Sequence, residues 1–238
     1  MKLILNLALL LILILCVWGG FKKGLIRSAA GLVVIIFALV VSNVFASSYS
    51  RELVPAINPF VGGYIDSDAT TQKVLEKLGY GESEYSLTDI LAQDTSLRYD
   101  YAYETIREIG FYKDVADELA SDSVTYADRN EVSMTDAVIT IVCNTIAYVG
   151  CITIAFIMIL ILMTAILDLF NLEFRLPNIE IIDEVGGSAL GLIEGFLYCV
   201  LLCWVLGFMG LIIGTETADK TALVRFFLAF RFITRTLI

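Results

Sequence analysis

Apolar positions in this chain fall into four long runs, not into the short alternating stripes of a water-soluble fold. The first covers residues 3 to about 21 and holds some twelve Leu, Ile and Val residues. Each favours a bilayer by roughly 0.3 to 0.6 kcal/mol, which outweighs Asn6 and the short length. The second covers 25 to about 46, where only Asn43 and small Ser residues oppose insertion. The third, 137–170, is about 34 residues, or roughly 50 Å as one helix at about 1.5 Å per residue. A hydrocarbon core is about 30 Å thick, so the end bearing Asn144 and Tyr148 is expected to rise out of it, with 151–167 inside. The fourth covers 185 to about 214 and is broken only by Glu194 and small residues. Asp183, just ahead of it, is expected to cap its first turn, because a carboxylate accepts from the free amides at the positive end of a helix.

The polar stretch 47–136 also reads as helical. Val74, Leu75 and Leu78 make one small apolar stripe, and Phe111, Val115 and Leu119 make another at four-residue spacing. Pro55, Pro59 and Gly62-Gly63 predict an irregular segment where the chain leaves the membrane. Stripes this short predict a helical cap lying on the membrane or a partner, without a large core of its own. Beyond 215, Leu223, Val224, Phe226, Phe227, Phe230, Phe232 and Ile233 interleave with arginines. That pattern predicts an amphipathic tail at the interface or packed on the bundle. The expected fold class is all-α: a multi-pass transmembrane helical protein with four spans and a helical extramembrane loop. Its parts are 1–46, the first two spans with their basic link; 47–136, the acidic loop; 137–215, the last two spans; and 216–238, the tail.

Composition agrees with this pattern. Hydrophobic residues make up 58% of the chain and charged residues 18%, more apolar surface than one soluble core of this size can hide. The net charge of −10 belongs to one segment, since 47–136 holds roughly 18 acids against 7 bases. Such acidity excludes nucleic acid as a partner, because phosphate binding needs clustered Lys and Arg. Lys22, Lys23 and Arg27 crowd the short link between the first two runs, which marks that link as cytoplasmic and puts the acidic loop outside. Lys220, Arg225, Arg231 and Arg235 in the tail pull the other way, since four spans return the tail to the side of the N-terminus. A cleaved signal peptide is the weaker reading of the first run: its positive region is thin, and Val17-Trp18-Gly19 makes a poor cleavage site.

Candidate chemistry is sparse. The five cysteines (Cys16, Cys143, Cys151, Cys199 and Cys203) all lie in apolar runs, so no disulfide framework is expected in the loop. They read as small hydrophobes. With no His in the chain, neither a metal site nor His-based acid–base chemistry is expected, and no cofactor is implied. Gly186-Gly187-Ser188-Ala189 has no base beside its serine, so no catalytic residue is assigned and the chain is not expected to be an enzyme.

The sharpest pattern is Gly187, Gly191 and Gly195, small residues on one face of the fourth run. Gly20, Gly24 and Ser28 repeat it around the first link, and Gly210 with Gly214 extends it. Small residues at this spacing let another helix backbone approach closely, within the bundle or between subunits. Glu194 lies inside the ladder, and a carboxylate at that depth costs a few kcal/mol unless it faces protein or water. Two readings stay open: a proton or ion site, or a shallow residue that is protonated or paired with a polar group such as Asn144. Asp168, near the other face, reads as interfacial.

Two stretches together resemble the bacterial colicin V production protein family. Trp18-Gly19-Gly20-Phe21-Lys22-Lys23-Gly24-Leu25-Ile26-Arg27-Ser28 is similar to that family's first link. Ile182-Asp183-Glu184-Val185-Gly186-Gly187-Ser188-Ala189-Leu190-Gly191-Leu192-Ile193-Glu194-Gly195 is similar to its Asp-led last helix with a glycine ladder. Ala222-Leu223-Val224-Arg225 is similar to the apolar-Arg stretch that often follows. The resemblance covers the four runs, about 60% of the chain. Two departures stand out: Glu184 and Glu194 occupy places where the family often has basic residues, and the acidic loop is long. The resemblance implies a bacterial inner-membrane accessory protein linked to toxin production or secretion and to envelope homeostasis. Its expected partners are the lipid bilayer and either membrane proteins or further copies of itself, joined through the glycine faces. The competing expectation is an oligomeric small-solute or ion channel or transporter with Glu194 lining the path.

Overall fold

The computed structural model describes residues 2–81, 87–169, 180–208 and 222–229, and every regular element among them is an α-helix. In chain order these are α1 (Lys2–Ile65), α2 (Asp68–Lys77), α3 (Leu87–Gln93), α4 (Leu97–Ile109), α5 (Lys113–Asn130), α6 (Met134–Leu169), α7 (Glu180–Phe208) and α8 (Ala222–Leu228). Three of them, α1, α6 and α7, are long and apolar enough to cross a membrane. Gly210, Gly214, Lys220, Phe230, Arg231, Phe232, Ile233 and Arg235 lie outside the described residues.

The 64 residues of α1 would reach about 96 Å if straight. They are not straight. Gly24 has φ 78° and ψ 175°, a backbone conformation that breaks the helix and that a side chain would oppose. Contacts with α7 show the consequence. Before the break, Gly20 lies at Gly187 and Gly191, and Cys16 lies at Gly191 and Gly195, so the two chains run in opposite directions. After it, Leu25 lies at Gly186 and Gly31 at Glu194, so they run the same way. Gly24 is therefore the turn of a helical hairpin. Ser28 Oγ reaches the Gly20 carbonyl at 3.5 Å, across a sequence distance no straight helix could close.

The expected irregularity at Pro55, Pro59, Gly62 and Gly63 is not there, because α1 continues through all four to Ile65. Proline's fixed φ suits a helix, and its cost lies in the missing amide and the crowded carbonyl a turn earlier. Pro55 and Pro59 are both exposed, where solvent can take up the freed carbonyls.

The chain divides into two compact units. One comprises Met1–Ser48, Cys151–Leu206 and Glu216–Ile238; the other comprises Tyr49–Gly150 and Gly207–Thr215. The division of α6 thus falls between Gly150 and Cys151. In the first unit, Leu9, Cys199, Val200 and Cys203 form a buried cluster with Val224 and Phe227 of α8. The described part of the tail packs inward through those two residues, while Arg225 and Phe226 stay exposed.

The second unit has more core than its stripes promised. Val74, Phe111, Val115 and Leu119 are buried as their spacing suggests, but so are Ile65 of α1, Ile106 and Ile109 of α4, and Val138 and Val142 of α6. Short stripes suffice because five elements contribute to one interior. Its helices carry their own end signals. Ser67 caps α2 by accepting from the Thr70 amide at 3.3 Å, and Ser133 accepts from the Asp136 amide at 3.1 Å ahead of α6. Gly110, at φ 107°, closes α4 in the left-handed conformation that glycine adopts without strain.

Candidate functional site

All five glycines of the two sequence series meet at one crossing in the first unit, where the first half of α1 lies against α7. A methyl group on Gly20 would overlap the Gly187 carbonyl and come within 3.0 Å of the Gly191 Cα. One on Gly187 would lie 3.0 Å from the Gly24 Cα, and one on Gly191 would lie 3.1 Å from the Gly20 Cα. At Gly195 the neighbours are Cys16 Cβ at 3.0 Å and Leu13 Cα at 3.3 Å. What faces each glycine is mostly backbone, which cannot swing aside as a side chain can. Only hydrogen fits there.

Asp183 has a different partner from the one its position suggested. It lies within the first turn of α7, buried, and its Oδ1 accepts from the Leu25 amide at 2.8 Å. The helix it caps is the second half of α1, which restarts after Gly24 with unpaired amides. Glycine at 24 serves both ends of this contact: it permits the positive φ, and a Cβ there would overlap the Asp183 carboxylate. Two segments remote in sequence thereby share one hydrogen bond at the turn.

Glu194, three turns further along α7, repeats the arrangement without the cap. It is 7% exposed, and its carboxylate occupies the space a side chain at Gly31 would need. Asn144 is exposed on α6. Gly31 was overlooked in the sequence, although it extends the small-residue face of Gly20, Gly24 and Ser28.

The basic residues of the link gather at the same end. Arg27 pairs with Asp168 at the end of α6, and the Asp168 carboxylate stays more than half exposed. Lys22 places its Nζ 3.9 Å above the Trp18 ring, and Lys23 is exposed. The Gly24 turn, the end of α6 and the start of α7 therefore lie together. Cys199 donates to the Leu9 carbonyl at 3.6 Å, and all five cysteines are free thiols.

In the second unit, Lys73 and Lys77 pair with Glu108 at 2.9 and 3.2 Å, and Lys77 also pairs with Glu104 at 3.0 Å. The Lys73 hydrogen bond, with further help from Lys77, holds the Glu108 carboxyl below the usual range. Tyr99 donates to Asp117, and that bond pushes its hydroxyl up to about 12. Among the described residues, no group of three or more Cys, Asp or Glu could hold a metal ion. Set against known proteins, the chain matches no family model, no curated sequence and no solved structure.

Proposed function

We propose that the chain is a non-enzymatic scaffold of the bacterial inner membrane that crosses the bilayer four times. Its acidic unit serves as an extracytoplasmic docking surface, and its role is that of an accessory factor to toxin production or secretion and to envelope homeostasis. The carrying observation is that the two stretches resembling the colicin V production family meet: Gly20 and Gly24 lie against Gly187, Gly191 and Asp183. Four crossings are supported by the reversal at Gly24, which turns one long apolar helix into two antiparallel halves. The position of the basic link at that turn supports a cytoplasmic location for it.

A scaffold of this kind depends on its bundle. Replacing Gly191 with Leu would drive a side chain into the Cys16 carbonyl and force the helices apart, costing about 1–3 kcal/mol or more. The expected outcome is loss of co-purifying membrane partners and reduced export of a secreted peptide toxin in the host cell. Partners and export both unchanged in Gly191→Leu, at equal membrane abundance, would count against the reading.

An oligomeric channel or small-solute transporter with Glu194 on the path is the second reading, favoured by the burial of that carboxylate. Its contact with Gly31 turns it inward within one chain, away from an outer face where subunits would meet. Flux across reconstituted vesicles decides. Solute flux that responds to pH in the native protein and loses that response in Glu194→Gln would favour this reading over the scaffold.

A further inference from the structure

Two acids are buried where α7 meets α1, and they differ in what reaches them. Asp183 is 5% exposed and accepts from the Leu25 amide. Glu194 is 7% exposed, and among the described residues no hydrogen bond or ion pair reaches its carboxyl group. Position explains the difference. Leu25 opens the second half of α1, where amides are still free to donate. Gly31 lies beyond that first turn, where each amide already donates within the helix. The Glu194 carboxyl thus rests on a glycine that leaves it space and offers it no donor.

Among the described residues one charge acts on Glu194, that of Lys23, the exposed residue just before the Gly24 turn. No ion pair joins the two. Cys16 and Tyr198 are the other titratable groups within electrostatic reach. Lys23 and Cys16 come from the first half of α1 and Tyr198 from α7 itself, while the second half of α1 presents Gly31, which does not titrate. A thiol and a phenol are neutral near pH 7, so neither compensates a carboxylate. An ion buried without a partner is costly, and the general remedy is a bound proton. Release of that proton leaves a carboxylate whose compensating charge sits on the long flexible stem of Lys23.

We infer that Glu194 is a proton-binding site inside the bundle, its carboxyl seated on Gly31 when protonated and turned toward Lys23 when ionised. The inference rests on the reading of α1 and α7 as membrane-embedded. It needs neither a pore nor a second copy, since every group named belongs to one chain. In that it differs from a channel with Glu194 on the path.

Infrared spectra of the full chain in phosphatidylcholine vesicles, taken as the difference between the native chain and Glu194→Gln, isolate this one carboxyl. The C=O stretch of the acid should give way to the carboxylate stretch as pH rises. Lys23→Gln should move that exchange to higher pH, a severalfold gain in proton affinity, because the cation that favours the ionised form is gone. Lys22→Gln should leave it in place, since the Lys22 ammonium lies over the Trp18 ring. Gly31→Ala, whose methyl would overlap Oε1 of Glu194, should displace the carboxyl and shift the exchange, whereas Gly19→Ala, where a Cβ meets nothing within 4 Å, should not. Dicyclohexylcarbodiimide, which partitions into hydrocarbon and adds to protonated carboxyl groups, gives a second measurement on the unsubstituted chain; an adduct is expected on the peptide bearing Glu194. A carboxyl that keeps one form across the whole pH range, or an exchange indifferent to both Lys23→Gln and Gly31→Ala, overturns the site. An exchange that sodium displaces at constant pH overturns it too, because the ligand would then be a metal cation. A chain that fails to co-float with the vesicles brings down the membrane reading itself, whereas one that floats and shows no exchange at Glu194 removes only this site.

Discussion

Asp183 and Gly24 are the two residues on which the turn between the halves of α1 depends. Gly24 lies at a positive φ that costs an ordinary residue about 1–3 kcal/mol. Its missing side chain also leaves the place that the Asp183 carboxylate fills. Gly24→Ala is therefore expected to lower the melting temperature in detergent by more than a substitution at Gly19, where a Cβ meets nothing within 4 Å. Asp183→Ala should cost about 0.5–2 kcal/mol as the lost cap of a helix start, and Asp183→Asn, which keeps an acceptor oxygen, should cost less. Equal melting temperatures for the Ala and Asn variants would show that the Leu25 amide does not depend on this bond. The sequence marked Asp183 as a capping residue through its type and its place before an apolar run. It could not say which helix would be capped, because a cap reached through space leaves no spacing rule behind.

At the scale of the element, α2 and α4 are tied by charges that titrate. Glu108 is held below its ordinary range, so the stability it contributes is present above the unfolded carboxyl value and is lost as pH falls through the lower, folded one. Lys73 is raised by the same hydrogen bond, and its share is complete below its unfolded value and is lost as pH rises through the folded one. Tyr99 behaves like Lys73: its contribution is whole below pH about 10 and is lost as pH rises through about 12. Absorbance titration of the full chain in detergent should lose about one tyrosine's share of the change near pH 12 in Tyr99→Phe. An unchanged curve would mean that the Asp117 bond is not made in solution. The stripes of this segment were legible as apolar spacing. What spacing does not carry is that Ile65 and Val138, from helices that begin or end far away, complete the same interior.

For the whole molecule, the testable claim is the side of the membrane on which each part lies. The basic turn and the acidic unit belong on opposite sides if α1 crosses twice. In intact cells, a membrane-impermeant thiol reagent should label Ser121→Cys, an exposed position of α5, and should reach Lys22→Cys only after the membrane is opened. The native cysteines are buried or half-buried and should contribute little background. Labelling of both positions from outside would rule out two crossings by α1, and labelling of Lys22→Cys alone would reverse the orientation.

Periodicity and composition were enough to establish that this chain is helical and rich in apolar helices long enough for a bilayer, because both depend on residue type summed along a segment. They also set small residues on one face of α7 and around the link, since helical spacing is a local property. Which backbone those glycines meet, that Gly24 reverses the helix, that Asp183 serves α1, and that Glu194 lies on Gly31 were decided only by the tertiary structure. The reason is geometric. A close crossing or a through-space cap joins residues separated by more than a hundred positions, and no pattern within either segment records the identity of its partner.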